Sequence, residues 1–164
     1  MFCLRILKIM KIRSDINVRF FFQKKAELNE RRRLKAFLAE VLKQKGKKTS
    51  GEVRVIFCSD DELLQINRGF LKHDYYTDIV TFPFTSSKEK LIDAELYISV
   101  DRVKENAALD RVRFERELHR VIFHGILHLC GLEDKTGLDK RKMRKAEESL
   151  LTQYFDVPHN TVSA

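Results

Sequence analysis

Three residues near the C-terminal third of the chain have the types and the spacing to hold one metal ion. They lie in the segment His124-Gly-Ile-Leu-His128-Leu-Cys-Gly131-Leu-Glu-Asp134. On a helix, residues four apart share a face, so the imidazoles of His124 and His128 can reach a single ion. Gly131 lets the chain take a left-handed turn, leave the helix and double back, which presents Asp134 to the same point. Two imidazoles and one carboxylate leave a coordination position open for water, the arrangement of a catalytic rather than a closed structural site. The predicted chemistry is metal-dependent hydrolysis.

Two histidines at this spacing are often incidental, but the His-x3-His-x5-Asp frame with Gly before the turn is far rarer. It has the frame of the metzincin zinc motif, in which the third ligand is usually His. The competing structural reading makes His124 and His128 core histidines on an apolar helix. Two unsatisfied imidazoles on one buried face would be costly, which favours the metal. One residue separates the reaction classes. Zinc peptidases of this type carry Glu directly after the first His as general base, and here that residue is Gly125. A small metalloprotease is therefore the weaker alternative.

The elements that must position these residues follow from the pattern of the 164-residue chain. Its length sets one domain as the default, and 43% apolar residues suffice for a core. The three cysteines, Cys3, Cys58 and Cys130, are odd in number and form no C-x-x-C pair. That speaks against a disulfide framework or a thiolate zinc site and for a reducing, cytoplasmic setting. Arg5 and Lys8 interrupt the N-terminal apolar run, a poor signal peptide, and no later stretch approaches a membrane span. Residues 1–10 read as a start-site extension, 11–155 as a single domain and 156–164 as a tail. The net charge of +8 and a pI near 9.5 point to a polyanionic partner such as RNA, with an ordinary basic surface as the plain alternative.

Strands are predicted over Asn17–Phe22, Glu52–Cys58, Ile79–Phe84 and Ala94–Val100, the second and fourth by clean alternation. Helices are predicted over Ala26–Gln44, Asp60–Leu71 with Ser59 as N-cap, Arg102–Leu109 with Asp101 as cap, Arg113–Cys130 and Leu138–Tyr154. Residues 45–50 (KGKKTS) read as a linker. The expected fold is α+β: a small mixed four-stranded sheet packed with about five helices, the metal site at the end of the long central helix.

The segment from His124 through Gly131 resembles, residue for residue, the histidine–glycine–x–leucine–histidine–leucine–x–glycine motif of the YbeY family of bacterial rRNA-maturation endoribonucleases. Upstream, Thr77-Asp-Ile-Val-Thr-Phe-Pro83 looks like the family's threonine–aspartate–valine–leucine–serine–phenylalanine–proline strand. Asn67 sits where its asparagine precedes that strand, and Asp93-Ala-Glu95-Leu-Tyr-Ile-Ser99 looks like its glycine–aspartate–isoleucine–x–isoleucine–serine segment. The resemblance covers roughly Glu52 to Glu148. It implies a zinc ion, one per chain, and single-strand endoribonuclease action in small-subunit rRNA 3′-end maturation and ribosome quality control. The implied partners are rRNA and the ribosome or its subunit, without membrane or DNA. Three departures stand out. The family's third metal ligand is typically His and here is Asp134. The family's functional arginine aligns with Leu71. Its glycine–aspartate pair becomes Ala94–Glu95.

In this reading His124 serves both as ligand and in catalysis, and Lys72 and Lys135 are candidates to stabilise phosphate charge, with Arg68 a lesser one. Glu117, Asp78 and Glu95 are candidates to orient the ligands, each with a surface or structural carboxylate as the competing reading. The basic stretches Arg31–Lys35 and Lys140–Lys145 are candidates to track an RNA backbone. A non-catalytic ribosome-assembly factor with a structural metal is the further alternative.

Overall fold

A computed structural model of the chain describes residues 15–156. The N-terminal extension at 1–10 and all but the first residue of the tail at 156–164 lie outside the described residues. Alternation builds the sheet. Strands β1 (Ile16–Phe22), β2 (Ser50–Cys58), β3 (Ile79–Pro83) and β4 (Leu91–Ser99) are ordered β1-β2-β4-β3. The β1–β2 and β2–β4 pairs are parallel and β3–β4 is antiparallel, so the sheet is mixed. In β4, Ile92, Ala94, Leu96 and Ile98 are buried while Asp93, Glu95 and Tyr97 between them are half-exposed. Period-2 alternation of this kind gives the sheet an apolar face and a polar one.

Among the described residues, five α-helices complete the α+β fold: α1 (Arg31–Gln44), α2 (Asp60–Ile66), α3 (Val100–Leu109), α4 (Phe114–Leu129) and α5 (Gly137–Phe155). Helix α4 is central. Its Leu118, Val121, Ile122, Phe123, Ile126 and Leu127 are buried in the main core with Leu34, Leu38 and Leu42 of α1 and the apolar face of the sheet. Gly125 shows how close α4 lies to the sheet: a Cβ there would stand 2.4 Å from Leu96 Cδ2 and 2.6 Å from Ile79 Cδ1.

Several boundaries differ from the sequence reading, each for a local reason. Helix α1 starts at Arg31, five residues late, because Ala26 and Leu28 are buried at extended rather than helical spacing and Glu30 turns the chain with a φ of 47°. The α2 segment does not run as one helix to Leu71: after Ile66 it widens into a π-type turn, Asn67–Leu71. Helix α3 is capped by Ser99, whose side chain accepts from the Arg102 N–H, and not by Asp101. Asp101 instead lies inside the first turn and accepts from Lys24 and the Asp60 N–H. The linker before β2 is partly internal: Lys48 is buried and its Nζ donates to the carbonyls of Ser86, Ser87 and Glu89.

Candidate metal centre

The C-terminal turn of α4 and the chain reversal after it assemble the site. Gly131 has a φ of 96°, in the region that favours glycine. The Gly131 N–H donates to the His128 carbonyl at 2.9 Å and the Leu132 N–H to the Leu127 carbonyl at 3.1 Å. These bonds close off the helix and send the chain back along it. The structure thereby brings His124, His128 and Asp134 together, their nearest ligand atoms all within 4.8 Å of one another. Each His Nε2 lies 3.6 Å from Asp134 Oδ2, and the two Nε2 atoms are 3.0 Å apart.

The tautomers are set by what the other ring nitrogens meet. His128 Nδ1 faces the Leu132 carbonyl at 2.9 Å, an acceptor only, so that nitrogen carries the proton. His124 Nδ1 donates to Glu147 Oε1 at 2.6 Å. In the neutral rings both Nε2 atoms are then lone pairs that point at each other and at a carboxylate oxygen. Three acceptors converging this way repel one another unless a cation sits between them. Their separations bracket the tetrahedral edge of about 3.3 Å expected for Zn–N bonds of ~2.0–2.1 Å. The donor set thus fits a zinc-like ion. Side-chain exposures of 20%, 28% and 42% for His124, His128 and Asp134 leave one side open to solvent.

A buried ionic network stands behind His124. Glu147 of α5 is only 5% exposed and accepts from His124 on one oxygen and from Arg120 Nη1 at 3.2 Å on the other. Burial acts to raise its carboxyl, but the His124 hydrogen bond and the Arg120 charge outweigh that and hold it below the usual carboxylate range. Arg120 itself grips buried Glu117 with two bonds of 2.7 and 2.8 Å and approaches Asp78 at 3.6 Å. Its guanidinium is shifted further upward, chiefly by the Glu117 bonds, so it stays charged. Neither Glu147 nor Arg120 was singled out from the sequence. A signal for Glu147 exists: Met143, Glu147, Leu150, Leu151 and Tyr154 form the buried stripe of α5, and one carboxylate in an apolar stripe needs a partner.

An open cavity of about 860 Å³ lies over the three residues, within the size range of small-molecule sites. Asp78, Arg120 and Lys135 line it, as do His73 and Tyr75, neither of which the sequence reading marked. Lys72 is exposed at the end of the π-type turn and does not line the cavity. Arg68 is exposed and paired with Asp74. Glu117 orients His124 only through Arg120 and Glu147. Glu95 lies on the polar face of the sheet, opposite α4, where it accepts from Arg54 and Tyr97. It plays no part in orienting the ligands. Gly125 leaves no room for the peptidase Glu, because its Cβ direction is filled by Leu96 and Ile79.

Fold and site together define a small α+β domain of the metallohydrolase type, with two imidazoles and a carboxylate presented at the end of a buried helix. Residues 18–155 match the family model for endoribonuclease YbeY. The chain is 46% identical over 135 residues to "Endoribonuclease YbeY" of Cytophaga hutchinsonii, covering 81% of this chain and 93% of that protein. It is 49% identical over 121 residues to the protein of the same name from Porphyromonas gingivalis, covering 74% and 78%. A solution structure of a Thermotoga maritima protein superimposes with a TM-score of 0.55 at 28% identity, covering 86% of this chain and 89% of that one. The chain belongs to the endoribonuclease YbeY family.

Proposed function

We propose that this chain is a zinc-dependent endoribonuclease that cuts single-stranded RNA and acts in maturation of the small-subunit rRNA 3′ end and in ribosome quality control. The observation that carries the hydrolase reading is the convergence of the two Nε2 atoms, 3.0 Å apart, on Asp134 Oδ2 at 3.6 Å from each. Family membership carries the choice of RNA as substrate. His124, His128 and Asp134 hold the ion. A zinc ion held there would supply Lewis-acid chemistry, polarisation of a phosphodiester oxygen and a lowered pKa for water.

The chain's own residues do the rest. Glu147 and the Leu132 carbonyl fix the two rings with their lone pairs inward. Lys135, one residue past Asp134, is paired only with the exposed Glu133 at 3.4 Å among the described residues, a solvent-screened contact that it can exchange for a phosphate oxygen at the cavity wall. Helix α5 starts directly after this segment, and its exposed Lys140, Arg141, Lys142, Arg144 and Lys145 enter no salt bridge among the described residues. This face is suited to track the RNA backbone. The basic stretch of α1 is less available, since Arg31 lies over Phe22 at 4.3 Å and Arg33 over Tyr154 at 4.2 Å. The domain proposed runs over 11–155, of which the family match covers 18–155. No helix among the described residues is long and apolar enough to cross a membrane.

The test is cleavage of a single-stranded RNA by the purified full chain, with and without a chelator and with zinc restored, beside casein as control. Cleavage of RNA alone, abolished by chelation and recovered with zinc, is expected. RNA left intact under all conditions would refute the nuclease reading, and casein digestion would revive the peptidase one. End analysis of the products then assigns the attacking group: a 2′,3′-cyclic phosphate marks the ribose 2′-OH, and its absence marks water.

A further inference from the structure

The cavity has a second built wall that the metal chemistry does not use. His73 and Tyr75 line it together with the three candidate ligands. Their rings are stacked on each other, with centroids 5.2 Å apart and planes 21° from parallel. The Tyr75 hydroxyl and His73 Nδ1 are 3.1 Å apart, a hydrogen bond that fixes the pair in this alignment. Tyr75 is nonetheless 56% exposed.

The pair stands on a braced segment. Asn67 is 1% exposed, and its side-chain amide donates to the Tyr75 carbonyl at 2.9 Å. The Asn67 carbonyl accepts from the His73 N–H at 3.2 Å and from the Lys72 N–H. Lys72 turns the chain with a φ of 55°. Tyr76 contrasts with its neighbour: it points away from the cavity, its ring 5.0 Å from the Arg102 guanidinium and its hydroxyl 3.4 Å from Asp61. Tyr76 therefore fastens the segment to the fold and Tyr75 is left to face the cavity.

A large amphipathic ring kept exposed and rigid beside a hydrolytic centre has lost its conformational entropy before any ligand arrives. The ligand that uses such a ring is another π system. Unpaired nucleobases stack on aromatic side chains, whereas bases inside a duplex already have both faces covered. We propose that the His73–Tyr75 pair is a nucleobase subsite, which receives an unpaired base of the RNA adjacent to the phosphate at the His124–His128–Asp134 centre. The inference rests on the endoribonuclease reading and deepens it, because it makes the preference for single strands a property of the cavity wall.

The experiment uses the zinc-loaded full chain and a single-stranded heptamer of 2′-O-methyl RNA, with anisotropy as the readout. Wild type, Tyr75→Phe and Tyr75→Ala are each titrated with the intact heptamer and with a series carrying one abasic residue at successive positions. Tyr75→Phe keeps the ring and is expected to bind within about threefold of wild type. Tyr75→Ala is expected to bind the intact heptamer about 5- to 150-fold more weakly, the span that one base–aromatic stack supplies. One abasic position is expected to cost wild type a similar factor and to cost Tyr75→Ala nothing more. The subsite is overturned if Tyr75→Ala binds within twofold of wild type, or if every abasic position weakens both proteins equally. If wild type binds none of the heptamers, the RNA reading falls and the subsite with it, a result distinct from the other two.

Discussion

The most informative perturbation of the centre is Glu147→Gln, which keeps the shape of the side chain and removes its charge. In the wild type this buried carboxylate accepts from His124 Nδ1 at 2.6 Å and from Arg120 at 3.2 Å. The amide retains one acceptor oxygen, so the ring is not set free, but the ionic part of the bond is lost. Hydrogen bonds to a charged group contribute about 1.5–3 kcal/mol. Removing a partner that orients a metal-bound His costs about 10–100-fold in affinity, or roughly 1.4–2.8 kcal/mol, so two independent routes give the same size. Arg120 keeps both Glu117 bonds and Asp78 nearby, which limits collateral damage to the fold. Zinc affinity measured by competition with a chromophoric chelator should fall 10–100-fold. Thermal unfolding in excess chelator should change far less. A zinc affinity within twofold of wild type would refute the claim that Glu147 holds His124 for the ion.

Two further predictions follow from packing and burial. Gly125→Glu restores the peptidase signature but drives a carboxylate into the Leu96–Ile79 contact, so it should cost at least about 3 kcal/mol of stability and yield no peptidase. Denaturant unfolding checks this, and a loss under 1 kcal/mol would show that α4 has room to move off the sheet. His119 is buried beside Tyr154 and Phe155, donates to the Glu115 carbonyl at 2.7 Å and has a partnerless Nε2. Burial depresses its pKa below the ordinary value near 6.5, so the stability it supports is complete above that value and drains away as pH falls below it. His119→Phe should lose on the order of 1 kcal/mol less than wild type between pH 7.5 and 5.5. An identical pH dependence in both proteins would contradict the assignment.

How much could be read from the sequence depended on how local the cause was. The spacing of His124, His128 and Asp134 with Gly131 between them is local, and the structure brings the three residues together. β2 and β4 were legible because one buried face imposes period 2 on their side chains. The start of α1 was misjudged because Ala26 and Leu28 fit a helical stripe as well as the extended one they occupy. The π-type turn at Asn67–Leu71 left no trace in propensity; it is held by hydrogen bonds from Asn67 to residues 72–75. The Arg120–Glu147–His124 chain was hidden for a similar reason. It joins α4 to α5 across 27 residues, and α5 reads as a strongly basic helix in which one acidic residue is unremarked. Glu95 is a candidate to orient the ligands in the sequence, with a structural carboxylate as the alternative, and the pleat of β4 turns it to the other face, where it bonds Arg54 and Tyr97.

The central claim is tested most directly by the metal content of the tag-free full chain and of His128→Ala, by mass spectrometry. The account predicts about one zinc per wild-type chain and loss of it in the variant, because His128→Ala removes one of three ligands from an already open site. Wild type without metal, or a variant that keeps a full equivalent, would contradict it.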